Sequence, residues 1–456
     1  MYKYAVVFGL VLVTALFLAG YFQQSQPLIQ PLQPSNFIQE QNKENTSQNV
    51  QMNNFTYNQS SIRPVQYSDV SQRQYSNGYN QNNQVNHQDN EVNPNTRSAD
   101  GYPCSGSGSV NFTASPMKLE DINFISPLGR TTGSHVTPSD HQYYYAKSWK
   151  PSSDYSVNDL LDVYSPADGT VGLVQSMGNS YKQTTNPELG DYRLVIYHTC
   201  TFYTIYIHLY QLSPKLQPLL DARSYPGQDV RVKSGELIGK AVGLDFNAYD
   251  DNVKLNGFVV PEHYKSESWK IHVVDSFDYF TEPLKSQLLE KNVRTAIPTG
   301  GKIDYDVDGK LIGNWFVENT GGYAGGQNNP EYWKNHFAFV PDYIDPSHFI
   351  ISMGNFAGAA KQFGVKGNGP NPSEVSVSTG LVKYELVPYE YYTPDGQHWD
   401  RISLAQNLKI KDFDNSVEGV VLAQLIDTRK LKLEIFPNKT ANEVSSFTSN
   451  AIIYER

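Results

Sequence analysis

Apolar and polar residues alternate most clearly between residues 192 and 209, where Tyr192-Arg193-Leu194-Val195-Ile196-Tyr197 and Phe202-Tyr203-Thr204-Ile205-Tyr206-Ile207-His208-Leu209 flank the polar Thr199-Cys200-Thr201. A period of two carried by β-branched and aromatic residues predicts two half-buried strands joined by a short turn. Upstream, Ser165-Pro166-Ala167-Asp168-Gly169-Thr170-Val171 reads as a tight turn feeding a strand, with Gly169 supplying positive φ and Val171 restarting the pleat. Downstream, Pro226-Gly227-Gln228-Asp229-Val230 leads into Gly235-Glu236-Leu237-Ile238-Gly239. Apolar residues at helical spacing over 284–293 predict a connecting helix. Strand-like runs then resume at 314–318, 336–340, 349–353, 380–387, 419–426, 431–436 and 451–454, separated by Gly, Pro, Asn and Asp turns. Their spacing predicts a second all-β unit, a sandwich or a barrel.

The first hundred residues break this pattern. Residues 4–22 are almost wholly apolar, follow Lys3, and give way abruptly to Gln23-Gln24-Ser25-Gln26, as in a secretory signal peptide or an uncleaved signal anchor. Residues 23–103 are rich in Gln, Asn, Ser and Tyr without a hydrophobic period, so they are expected to form a disordered spacer. The organisation expected is a targeting segment at 1–22, the spacer at 23–103, one β domain at 104–288 and another at 289–456. An extracellular or cell-surface location follows, with membrane attachment through residues 4–22 if they are not removed.

Charge and cysteine content narrow the picture. A net charge of -10 over 456 residues, with no dense Lys/Arg face, argues against a nucleic-acid partner. Cys104 and Cys200 are the only cysteines, too few for a zinc-thiolate cluster and suited either to one disulfide or to two isolated thiols. Asn-x-Ser/Thr acceptor patterns at Asn45, Asn54, Asn58, Asn111 and Asn438 are as readily produced by chance in Asn-rich sequence.

Over roughly residues 124–280, the Asp168-Gly169-Thr170-Val171 turn, Tyr206-Ile207-His208-Leu209 and the Gly-rich turns near 227 and 235 resemble the core of the lysostaphin-type zinc peptidases. The resemblance implies a duplicated hybrid motif β domain, and hence a mainly β protein with this domain followed by the second all-β unit. Such peptidases hold one Zn²⁺ with a His and an Asp four residues apart on one strand and the second His of a His-x-His pair on another. The metal polarises the scissile carbonyl and lowers the pKa of bound water, while further imidazoles assist. His208 matches the assisting, catalytic histidine. His272, in Trp269-Lys270-Ile271-His272-Val273-Val274, takes the place of the paired metal ligand, but Lys270 stands where the first His of that pair belongs. His141 fits the first ligand, yet Tyr145 occupies the expected Asp position. Strand alternation puts His141, Tyr143 and Tyr145 on one face. His135, Asp140 and His141 form an alternative donor group, and His135, His141 and His272 together would make a three-histidine zinc site.

Each candidate also has a plain structural reading. His208, His272 and His198 lie on apolar strands where a histidine is often a hydrogen-bonded core residue, and Asp140 after Pro138 suits a turn. Asp304-Tyr305-Asp306-Val307-Asp308-Gly309 imitates a calcium loop, but Trp315 stands at the twelfth position, so it reads as a β-turn. His336 and His348 read as strand and turn residues. The Asp-Gly-Thr-Val turn also occurs in lipoyl and biotinyl carrier domains, but no hairpin with a modifiable Lys is apparent. Because Tyr145 removes a ligand charge and Lys270 removes a proton-transfer group, the expected function is a degenerate binding or envelope-organising module with a cell-wall, glycan or surface-protein partner. The alternative is an active zinc endopeptidase or amidase acting on such a polymer.

Overall fold

The computed structural model describes residues 96–151, 154–178, 184–220, 229–323 and 331–456. The apolar segment 4–22 and the spacer up to residue 95 lie outside the described residues, as does Pro226-Gly227-Gln228. No described helix is long and apolar enough to cross a membrane.

The first half contains β1 (Ile122–Ser126), β2 (Gln142–Ala146), β3 (Leu161–Tyr164), β4 (Gly169–Ser176), β5 (Tyr192–Tyr197), β6 (Phe202–Leu209), β7 (Gln211–Leu212), β8 (Arg231–Val232), β9 (Leu237–Ala241), β10 (Gly243–Asp250) and β11 (Val273–Val274). One sheet has the order β1-β2-β10-β6-β5-β4-β8, with β11 beside β10, and a second has the order β3-β9-β7. Alternate residues of the large sheet, such as Tyr144, Leu194, Ile196, Phe202, Tyr206, Leu244 and Phe246, meet Val163, Ile238 and Ala241 of the small one in a closed apolar core. The expected 192–209 hairpin is present as β5 and β6. Gly169, however, is not at positive φ. A Cβ there would fall 2.5 Å from Ile196 Cγ2, so the position demands glycine for closeness, not for turn conformation.

The connecting helix is present but short, as α1 (Leu284–Leu289). Then follow β12 (Gly313–Val317), β13 (His336–Pro341), β14 (Phe349–Phe356), β15 (Ala359–Val365), β16 (Val382–Val387), β17 (Tyr389–Tyr392), β18 (Lys409–Asp412), β19 (Gly419–Asp427), β20 (Lys430–Pro437) and β21 (Ile452–Glu455). Eight of these close a barrel in the order β12-β13-β14-β15-β16-β19-β20-β21, sealed by the pairing of Phe316 with Glu455, while β17 and β18 form a separate ribbon. Of the two architectures expected, the barrel is therefore the one adopted, and closure leaves no open edge. Its interior is filled by Trp315, Phe337, Phe339, Met353, Tyr384, Val421, Leu433 and Tyr454.

The outer face of the large sheet is also covered. Val195, Tyr203, Ile205 and Tyr249 pack with Tyr264, Phe316 and Tyr323, while Phe124 and Tyr145 pack with Tyr343, Tyr391 and Trp399. The chain segment entering the first sheet is pinned by the Cys104–Cys200 disulfide, by the Thr199 hydroxyl donating to the Gly108 carbonyl at 2.6 Å, and by Tyr102 stacked on Tyr197. A cross-link spanning 96 residues restricts the unfolded chain strongly. Replacing both cysteines by serine is expected to lower stability by about 4 kcal/mol, read as a fall in the denaturant midpoint. An unchanged midpoint would show that the bridge contributes nothing.

Candidate functional site

Strand parity alone would turn His208 towards the closed core with Tyr206. The structure inserts one extra residue instead: Leu194 pairs with Tyr206, but Tyr192, two residues away, pairs with Leu209, three residues away. His208 takes up this bulge at φ 65, in the left-handed region that a non-glycine residue rarely occupies. The strain of order 1–3 kcal/mol carried by such a residue is set against the contacts the ring then makes on the outer face.

Those contacts are carboxylates. His208 Nδ1 lies 2.9 Å from Asp191 Oδ2, just ahead of β5, and its Nε2 lies 3.4 Å from Asp245 Oδ2 on β10. His141, immediately before β2, brings its Nε2 to 3.2 Å from the same Asp245 oxygen and its Nδ1 to 3.3 Å from Asp140 Oδ1. The His141 Nε2 is buried without a hydrogen-bond partner, so its approach to Asp245 is not aligned as a hydrogen bond. Asp140 is the most heavily engaged group. Its Oδ1 receives Lys270 Nζ at 2.8 Å, and its Oδ2 receives Trp269 Nε1 at 2.9 Å and the Tyr249 hydroxyl at 3.3 Å. Lys270 also reaches Glu267 at 3.1 Å and lies 4.6 Å from the centroid of the Tyr323 ring. All five central residues, Asp140, His141, His208, Asp245 and Lys270, are buried.

Electrostatics follow from this packing. Burial favours neutral His208, but the carboxylates of Asp245 and Asp191 outweigh it and raise its pKa to about 9. Burial likewise opposes charge on Asp140, and the Lys270 ammonium reverses this, holding the carboxyl well below its usual range. His135 goes the other way: burial, with His141 and Lys270 adding to it, lowers its pKa to about 3.

The sequence candidates therefore divide. His141 and His208 do meet, through Asp245. His135 packs edge-on to His141 with ring centroids 5.5 Å apart, at the border of the cluster. Tyr143 and Tyr145 share the His141 face as alternation requires, their rings stacked at 6.2 Å, but the Tyr145 hydroxyl is taken by Arg130. His272 does not join them. The segment expected to be a strand from Trp269 onward is instead a run of 3-10 turns over Pro261–His272, led by Pro261 and kinked at Glu267. Because Val273 pairs with Tyr249, His272 falls level with Asp250, about 16 Å along β10 from Asp245 at 3.2–3.4 Å per residue. There its Nδ1 faces the Val253 carbonyl at 2.6 Å. His198 lies on the other face, its Nε2 3.0 Å from the Thr204 hydroxyl.

The donor set that the family resemblance implies is thus not assembled, and among the described residues no group of three or more His, Cys, Asp or Glu side chains is set out to hold a metal ion. Sequence reasoning missed Asp245, Asp191 and Glu267. A carboxylate within the apolar alternation of Gly243-Leu244-Asp245-Phe246-Asn247-Ala248 was the available signal, since Asp is seldom fully buried unless paired.

No family model matches the chain, and no curated protein matches it. Among solved structures, a SpoIIQ-SpoIIIAH pore-forming complex matches with 16% identity over 39% of this chain and 96% of that one, at a TM-score of 0.23. A second SpoIIIAH and SpoIIQ complex matches with 18% identity over 30% and 92%, at 0.20. A zinc-containing peptidase from Vibrio cholerae matches with 21% identity over 34% and 42%, also at 0.20. At these scores the likenesses transfer no function.

A histidine whose folded pKa is raised stabilises the protein fully below its unfolded value and loses that contribution as pH climbs through the folded one. For His208 the window runs from about 6.5 to about 9. Wild-type protein should lose about 3 kcal/mol of stability across it relative to His208→Gln, measured by urea unfolding at both ends. Parallel pH profiles for the two proteins would rule out a charged His208.

Proposed function

We propose that the chain is an exported or membrane-anchored cell-envelope protein whose peptidase-like half has lost hydrolytic chemistry and acts as a binding or envelope-organising module. The observation that carries this reading is the buried Lys270 ammonium, 2.8 Å from Asp140. With Trp269 and Tyr249 it engages both oxygens of Asp140, so neither is left to ligate a metal beside His141. His208, held between two carboxylates, is charged at neutral pH and so is no general base. The cluster is buried, with the Tyr323 ring over Lys270 and Gln362 of β15 bonded to both the N–H and the carbonyl of Gly133. Asp245 is itself buried. The partner expected is a cell-wall, glycan or surface-protein polymer, engaged by the outside of the folded part and reached by the spacer.

A second reading, a zinc endopeptidase or amidase, is favoured by one feature: two imidazole nitrogens converge on Asp245, each with its other nitrogen facing a carboxylate, as metal-bound histidines commonly do. Three measurements separate the readings. The purified protein should contain no stoichiometric zinc, should not cleave glycine-rich or peptidoglycan-type peptides, and should sediment with isolated cell envelopes. Chelator-sensitive cleavage, with zinc lost in Asp245→Asn, would replace the first reading by the second.

A further inference from the structure

Lys270, Asp140 and Glu267 form a close charged trio. Lys270 Nζ is 2.8 Å from Asp140 Oδ1 and 3.1 Å from Glu267 Oε2, with the lysine and aspartate side chains only 8% and 7% exposed. The kink at Glu267, where φ is -136 and ψ is 63, is what brings that carboxylate back over a residue three positions on. Aromatic groups enclose the trio: Tyr323 over the ammonium, and Trp269 and Tyr249 donating to the far oxygen of Asp140. We propose that Lys270 and Asp140 condense to an isopeptide bond, with Glu267 carrying the proton.

Each requirement of the reaction has a group. Proximity is present before reaction, which removes most of the entropic barrier to joining two side chains. One ammonium proton passes directly to Asp140 Oδ1, giving a neutral amine and a neutral carboxyl; Nζ then attacks Cγ, and Glu267 takes a second proton from Nζ and delivers it to the leaving hydroxyl. The Trp269 N–H and Tyr249 O–H face Oδ2, where negative charge gathers in the tetrahedral intermediate. Oδ1, which also faces His141 Nδ1 at 3.3 Å, then departs as water. Of the three ammonium protons two leave with that water, one of them by way of Glu267, and one stays on the amide nitrogen. The sum is ammonium plus carboxylate to amide plus water, with no oxidant, reductant or cofactor. The driving force is also local. Two buried charges cost several kcal/mol each in lost hydration, and the neutral amide removes both while water escapes along Glu267, the most exposed of the three.

Such a bond would tie the residue ahead of β2 to the 3-10 run beside β10 by a covalent link insensitive to reductant. The test is peptide mass spectrometry on the reduced, digested wild-type protein and on Glu267→Gln. In the wild type, the fragments containing residues 140 and 270 should travel as one branched species about 18 Da lighter than their sum. Glu267→Gln should release them as separate peptides of full mass. Separate full-mass fragments from folded wild type would overturn the bond, and a branched species persisting undiminished in Glu267→Gln would overturn the role given to Glu267.

Discussion

A carboxylate withdrawn from water has to be matched by donors or cations, and at Asp140 that requirement draws three distant stretches of the chain together. Unmatched, its burial would cost several kcal/mol. The donors come from β10, through Tyr249, and from the 3-10 run after it, through Trp269 and Lys270. Lys270 in turn lies beneath Tyr323, between β12 and β13 of the barrel. The first sheet, the turns that follow it and the barrel are therefore registered on one buried charge, and a shift of any of them would leave Asp140 or Lys270 uncompensated.

The large sheet is buried on both faces, which is unusual for an antiparallel sheet with a clean period of two. Its outer face solves this with tyrosine. Tyr203 and Tyr249 stack at 5.4 Å, and Tyr143 and Tyr145 continue the aromatic surface towards His141. A tyrosine covers apolar area while keeping a hydroxyl for a polar neighbour, so this face can pack against the barrel and still border a charged cluster. The 32 tyrosines of the chain, against 21 phenylalanines, are put to that use in part. Arg294 completes the joint by donating to the Pro298 and Tyr343 carbonyls, tying the linker after α1 to the barrel.

Where local pattern governs conformation, the strands were legible. The hairpin of β5 and β6 and seven of the barrel strands follow from β-branched and aromatic alternation bounded by turn residues. β15, Ala359–Val365, was not legible, because Ala-Ala-Lys-Gln-Phe-Gly-Val carries little of that signal and owes its extended form to pairing with β14 and β16. The opposite error arose at Trp269 to His272, where apolar alternation suggested a strand but Pro261 and the Glu267 kink wound the backbone into turns. That error displaced His272 from the site and hid the reason for Lys270, which is to neutralise Asp140.

The amino-acid sequence by itself determined the mainly β class, the positions of most strands, and the nearness of His141 to the strand that carries Tyr143 and Tyr145, because all of these depend on periods of two and on turn residues close by in the chain. Only the tertiary structure decided which residues meet. A single inserted residue at His208 reverses the face to which its ring points, and a strand pairing across many residues brings Asp245 between two imidazoles. Register and bulges are settled by the fit of whole sheets to each other and to the barrel, and that fit has no local signature to read.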